Sequence, residues 1–85
     1  MFMIEIDGSY GSGGGQVLRT ALALSAITGR EVRVTNIRAN RPVQGLKAQH
    51  LTGLKTIAAV CNAQAHGAKL RSTEVEFKPK KPASV

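Results

Sequence analysis

A glycine run between two stretches of different periodicity constrains this fold more than any other feature of the chain. Met3-Ile4-Glu5-Ile6-Asp7 alternates apolar and polar side chains, the two-residue period of a half-buried strand. From Gln16 the period lengthens: Leu18, Ala21, Leu22 and Ser25 recur at i, i+3, i+4 and i+7, with Val17, Leu24 and Ile27 widening the apolar face. This helix is expected to stop at Thr28-Gly29, where Gly29 suits a left-handed C-terminal cap. Between the two lies Gly-Ser-Tyr-Gly-Ser-Gly-Gly-Gly, residues 8–15. Glycines in a strand-to-helix turn can serve a tight connection, because they accept positive φ. They can also let backbone N–H groups approach a phosphate. Three consecutive glycines exceed what a plain turn needs, since each adds conformational entropy that folding must remove. Two common phosphate loops are excluded. A Walker A loop requires lysine, and none occurs before Lys47; a dinucleotide fingerprint begun at Gly11 and Gly13 meets Gln16 at its last position.

The alternation returns in Glu31–Arg38, with Val32, Val34 and Ile37 as candidates for the inward face. A loop over Ala39–Gly45 contains Asn40-Arg41-Pro42. A second helix is expected from about Leu46 to Asn62, with Leu51, Leu54, Ile57 or Ala58, and Cys61 at helical spacing. Ala63–Ala68 reads as a weak strand carrying Gln64 and His66, and Thr73–Lys78 alternates cleanly as a fourth. The order β-α-β-α-β-β is most economically satisfied by an α/β two-layer sandwich, with two helices on one face of a four-stranded mixed sheet. The other sheet face would carry Glu5, Arg33, Glu74 and Glu76, which water tolerates. Residues 1–78 are expected to form one domain, and 79–85 a mobile basic tail interrupted by proline.

Charge narrows the function. The net charge is +7 over 85 residues, and no acid occurs between Glu31 and Glu74, a window holding Arg33, Arg38, Arg41, Lys47, Lys55, Lys69 and Arg71. Such a segment attracts polyanions, or simply solubilises the chain. The single cysteine, Cys61, excludes an internal disulfide, and its apolar neighbours Ile57 to Val60 make it a buried hydrophobe. The opening residues lack the basic segment of a signal peptide, and Ala21–Ile27 is too short to span a bilayer. A cytoplasmic protein is expected (nuclear in a eukaryote), with no membrane partner.

Two stretches make the resemblance specific. Asp7-Gly8-Ser9-Tyr10-Gly11-Ser12-Gly13-Gly14-Gly15-Gln16, followed by Leu18-Arg19, resembles the opening block of the RNA 3′-terminal phosphate cyclases. Ile37-Arg38-Ala39-Asn40-Arg41-Pro42, then Gly45-Leu46 and Gln49-His50-Leu51-Thr52, resembles that family's second block. Similarity runs on through Cys61 to Phe77. The resemblance implies one βαβαββ unit of a fold that repeats such units. It also implies an activity: ATP adenylylates a histidine, AMP passes to an RNA 3′-phosphate, and the 2′-hydroxyl closes a 2′,3′-cyclic phosphate with help from a divalent metal. On that basis Arg19, Arg38, Arg41, Gln49 and His50 would line the pocket for the RNA terminal phosphate, and Gly13, Gly14, Gly15 and Gln16 would face nucleotide. The partners implied are an RNA 3′-phosphate end and ATP, together with either further C-terminal units or a second copy across the open sheet face.

Plainer roles stay open for each residue. Arg19 can be a solvated helix arginine, Arg38 and Arg41 loop charges, His50 a packing residue and Gln16 a cap. Two departures bear on activity. Ser12 stands where the family usually has a glutamate associated with the metal, so metal binding is in doubt. Neither His50 nor His66 matches the pattern around the adenylylated histidine, so the expectation is the N-terminal portion of a cyclase, inactive alone. The alternatives are a free-standing basic RNA-binding module, a non-cyclising relative in ribosome biogenesis, and an isolated unit made for folding or design.

Overall fold

The computed structural model describes residues 3–9, 16–39 and 41–80. The elements follow the expected order: β1 (Ile4–Asp7), α1 (Gln16–Thr28), β2 (Val32–Thr35), α2 (Ala48–Val60), β3 (Gln64–His66) and β4 (Val75–Lys78). The strands form one sheet in the order β1-β2-β4-β3. β1 runs parallel to β2, and β4 lies antiparallel to both β2 and β3. Both helices pack on one face of this mixed sheet, as the alternation of strand and helix periods requires.

Register sorts the side chains between faces. Ile4 and Ile6 stand beside Val32 and Val34, which face Phe77 and Val75 across the next ladder, and Ala65 lies opposite Phe77. This inner face meets Leu18, Ala21, Leu22, Ser25 and Ala26 of α1 and Leu54 of α2, all buried, with Cys61 sealed beneath the end of α2. A two-residue period therefore places every intervening residue outside. The middle row of the outer face reads Glu5, Arg33, Glu76, His66 across all four strands. Arg33 is its hub. Its Nη2 donates to Glu76 at 2.8 Å, and it pairs at longer range with Glu5 (3.5 Å) and Glu74 (3.9 Å). The bond from Arg33 holds the Glu76 carboxyl below the usual carboxylate range, and Glu76 in turn raises the guanidinium.

The structure corrects several expectations. Leu24 and Ile27 do not widen the buried stripe of α1: they are 55% and 63% exposed. At roughly 100° per residue, Leu24 lies about 120° from Leu18 and Ile27 nearly opposite it. The second strand ends at Thr35 rather than Arg38, because Asn36 turns the backbone to φ 52°. Ile37 is still buried, but from a loop, where its N–H donates to the Thr73 carbonyl at 2.9 Å. Leu46 is likewise buried ahead of α2 rather than within it. Gly29 caps α1 as anticipated, at φ 75°, donating to the Ser25 carbonyl, while the buried Ser25 hydroxyl donates to the Arg30 carbonyl. Of the proposed tail, residues 81–85 lie outside the described residues.

The parallel pairing of β1 and β2 fixes where function can sit. Each strand is followed by a helix, so α1 and α2 both begin at the carboxyl edge of these strands. Both positive helix ends therefore open at the same edge of the sheet.

Candidate phosphate-binding edge

β1 delivers Asp7 to this edge, and its carboxylate is already engaged. Oδ1 accepts from the Ser9 N–H (2.9 Å), the Ser9 hydroxyl (2.7 Å) and Asn36 Nδ2 (3.3 Å). These bonds, the Ser9 hydroxyl foremost, hold the Asp7 carboxyl below its ordinary value. The resulting turn launches the chain toward the glycine run. Gly8 has no room for a side chain: a Cβ there would stand 2.8 Å from the Thr35 carbonyl oxygen. Its own N–H donates to that same oxygen at 2.6 Å. Gly13, Gly14 and Gly15, expected to face nucleotide, lie outside the described residues, as does Ser12.

The loop after β2 carries Arg38 in an unusual state. Its backbone is left-handed, at φ 52°, and the side chain is buried to 7% exposure. Nη1 donates to the carbonyls of Val43 (2.8 Å) and Gly45 (2.9 Å). Arg38 therefore acts first as a clamp that shapes its own loop. Arg41 is exposed on the same loop, its N–H turning back to the Arg38 carbonyl at 3.1 Å.

α2 begins just after Lys47, whose extended backbone marks the cap position. The Lys47 N–H donates to His50 Nδ1 at 3.2 Å. With Nδ1 accepting, the neutral imidazole carries its proton on Nε2 and offers a donor there. Burial first, then the charges of Arg38, Arg19 and Lys47, push the His50 pKa below its ordinary value. Those three cations come from α1, the β2–α2 loop and the α2 cap, so the titration of one imidazole reports their convergence.

A cleft of about 430 Å³ lies between the two helices here, walled by Leu18, Arg19, Leu22, Gln49, His50 and Leu54, with Gly53 leaving its rim open. Arg19, Gln49 and His50 thus share one cavity, and Arg38 lies within electrostatic reach of it. Gln16 is exposed at the first position of α1, and neither it nor Arg41 forms part of the wall described for this cleft. Lys47 was not singled out from the sequence. Its place one residue before the Ala48–Val60 helix was the available signal, blurred by starting the helix at Leu46.

The donors at this edge suit an anion. Guanidinium, ammonium, imidazole N–H and helix-end N–H groups all donate, and guanidinium matches phosphate oxygens in pairs. They do not suit a divalent cation. Among the described residues no group of three or more His, Cys, Asp or Glu side chains could hold a metal. Two carboxylates stand at this edge by register: Asp7 is occupied by three hydrogen bonds, and Glu74 is paired with Arg33 on the outer face. The other acids, Glu5 and Glu76, also face outward around Arg33, and Glu31 precedes β2 at the opposite end. No described helix is long and apolar enough to cross a membrane.

Fold and edge together define an α/β unit whose cations gather where two helices begin. Comparison with known proteins gives it a family. The model of the RNA 3′-terminal phosphate cyclase family matches residues 10–85. A protein named RNA 3′-terminal phosphate cyclase from Methanopyrus kandleri is 57% identical over 81 residues, 95% of this chain and 23% of the relative. Those of Methanosarcina acetivorans (62% over 77 residues, 91% and 22%) and Thermococcus kodakarensis (58% over 81 residues, 95% and 24%) bear the same name. The chain belongs to the RNA 3′-terminal phosphate cyclase family, and it spans about a quarter of the length of these curated relatives.

Proposed function

We propose that this chain supplies the seat for the terminal phosphate of an RNA 3′-end in an ATP-dependent RNA 3′-phosphate cyclase, and that it forms no covalent adenylate itself. The observation that carries this reading is the cleft between the two helices that Arg19, Gln49 and His50 share, with Arg38 and Lys47 close enough to His50 to help lower its pKa. Positive charge gathered at two helix N-termini, with Asp7 engaged in hydrogen bonds and Glu74 paired with Arg33 on the outer face, favours a dianionic ligand. In this seat Arg19 and Arg38 neutralise phosphate charge, His50 Nε2–H and the Gln49 amide donate to its oxygens, and the neighbouring 2′-hydroxyl attacks the adenylylated phosphorus, forming the new O–P bond as the bond to AMP breaks and AMP leaves. Stabilising charge where it develops is the main service a protein renders in such transfers. Gln16 and the glycines 13–15 would face the nucleotide. When bound, ATP would supply the adenylyl group that activates the 3′-phosphate.

His50 is a poor candidate for the covalent step. Its Nδ1 lone pair is used by the Lys47 N–H, and Nε2 carries the proton in that tautomer. A divalent metal, where the whole reaction uses one, would draw its ligands from other parts of a longer protein, because among the described residues no three His, Cys, Asp or Glu side chains are placed to hold one.

The discriminating experiment is calorimetric titration of the chain with one short RNA ending either in a 3′-phosphate or in a 3′-hydroxyl. Tighter binding of the phosphorylated end is expected, lost in Arg19→Ala and weakened as salt rises. Equal affinity for the two ends contradicts the phosphate seat. Incubation with ATP labelled in its α-phosphate is expected to leave the chain unlabelled, and covalent AMP would overturn the second half of the proposal.

A further inference from the structure

Beside the phosphate cleft, and sharing Gln49 with it, lies a second depression of about 420 Å³. Two large aliphatic side chains stand exposed on its rim: Val43, 50% exposed, from the β2–α2 loop, and Leu70, 59% exposed, from the β3–β4 connection. Leu46 forms a buried floor, and Lys47 and Arg71 flank the opening. No acid lines it, in contrast to the depression on the outer sheet face, which is walled by Glu74 and Glu76.

The two loops that hold these aliphatics are stitched together. The Leu46 N–H donates to the Ser72 carbonyl (3.0 Å), and the Arg71 N–H donates back to the Leu46 carbonyl (2.8 Å). Gly45, at φ 83°, packs so closely on Arg71 that a Cβ would collide with the Arg71 carbonyl. Arg71 itself is held at φ 66°. Arg38 fixes the other side through the carbonyls of Val43 and Gly45. The backbone on both sides of the rim is thus fixed, so Val43 and Leu70 face each other across a groove of set width.

We propose that this groove receives the base of the nucleotide that precedes the terminal phosphate-bearing nucleotide of the RNA, resting between Val43 and Leu70, with its phosphodiester near Lys47 and Arg71. The inference rests on the phosphate seat above and extends it by one nucleotide along the strand. Three features favour this occupant over another apolar partner: the wall shared with the anion cleft, the cations on the rim and the missing acids. A base offers an apolar face bordered by phosphates of negative charge, the complement of this arrangement. The size is suitable as well, within the roughly 300–1,000 Å³ of small-ligand sites. Aliphatic side chains read no base identity, so the site should be tolerant of sequence.

The test compares uridine 3′-phosphate with a dinucleotide and a trinucleotide bearing the same 3′-phosphate, by calorimetry on the chain and on the double variant Val43→Ser/Leu70→Ser. The dinucleotide is expected to bind about 5–20-fold more tightly than the mononucleotide, the increment that burying a few tens of Å² of apolar surface supplies at roughly 25 cal/mol per Å², and the trinucleotide should add less. The double variant should lose that increment while circular dichroism and the mononucleotide affinity stay unchanged. A mononucleotide that binds as tightly as the dinucleotide overturns the groove and leaves the phosphate seat standing. A dinucleotide with a free 3′-hydroxyl that binds equally well, and weakens in the double variant, supports the groove and sinks the phosphate seat. Should light scattering reveal a dimer that the double variant converts to monomer, the groove belongs to a second copy and the proposal is wrong.

Discussion

Replacing Arg38 by alanine should unfold the chain far more readily than removal of an ordinary loop cation. The guanidinium is buried, and its Nη1 is the shared donor to two carbonyls 2.8 and 2.9 Å away. Hydrogen bonds from a charged donor contribute roughly 1.5–3 kcal/mol each. Val43 is exposed, so water can replace the donor at its carbonyl, whereas Gly45 is buried and its carbonyl would be left unpaired. Discounting the first bond gives a loss of about 2–4 kcal/mol. An 85-residue domain holds roughly 4–13 kcal/mol in total, so the variant should be marginal and melt about 10–25 °C lower, at several degrees per kcal/mol. Arg38→Lys keeps the charge and can satisfy one carbonyl, so it should fall between wild type and alanine. Urea unfolding followed by circular dichroism measures all three. A change below about 0.5 kcal/mol for Arg38→Ala, the range of ordinary surface substitutions, would refute the clamp and return Arg38 to being a plain loop charge.

Gly45→Ala should be among the most damaging single-methyl additions, since it combines φ 83° with a collision against the Arg71 carbonyl; a loss of about 2–4 kcal/mol is expected by urea unfolding. Stability should fall on acidification. The carboxyls of Asp7 and Glu76 and the imidazole of His50 all have lowered pKa values in the folded chain. The unfolded chain therefore binds more protons than the folded one as pH drops below the ordinary value of each group, and the stability present above those values is lost through the folded ones. The histidine contribution goes first, below about pH 6.5, and the carboxylate contributions below about pH 4.5. Arg33→Met should lower the melting temperature at neutral pH by leaving Glu5, Glu74 and Glu76 without their shared cation, and it should flatten the carboxylate part of the acid limb; an unchanged acid limb would refute the hub.

The elements were legible because their periods differ. Ile4 and Ile6 alternate, Leu18, Leu22 and Ser25 recur at helical spacing, and the βαβαββ order followed from those two rhythms. The departures have two causes. Leu24 and Ile27 were assigned to the buried stripe by hydrophobicity, although about 100° per residue already turned them away from Leu18. The burial of Ile37 and Leu46 depends on bonds between loops far apart in sequence, such as Ile37 to Thr73 and Leu46 to Ser72, which no local pattern announces. The candidate site was partly legible. Arg19, Gln49 and His50 line one cleft, whereas Arg38 looked like any loop cation until the carbonyls of Val43 and Gly45 showed what it holds. The run of cations between Glu31 and Glu74 also divides in space. Arg33 is neutralised on the outer face, while Arg38 and Lys47 converge on His50 at the carboxyl edge of the strands.

That convergence can be measured at one ring. The His50 imidazole, followed by NMR as pH is varied, should titrate below an unperturbed histidine in the free chain. On addition of uridine 3′-phosphate its pKa should rise, as phosphate charge offsets Arg19, Arg38 and Lys47, while the ring signals of His66 on the outer sheet face stay in place. A His50 titration that ignores the ligand, or a response at His66 instead, would contradict a phosphate seat at the start of α2.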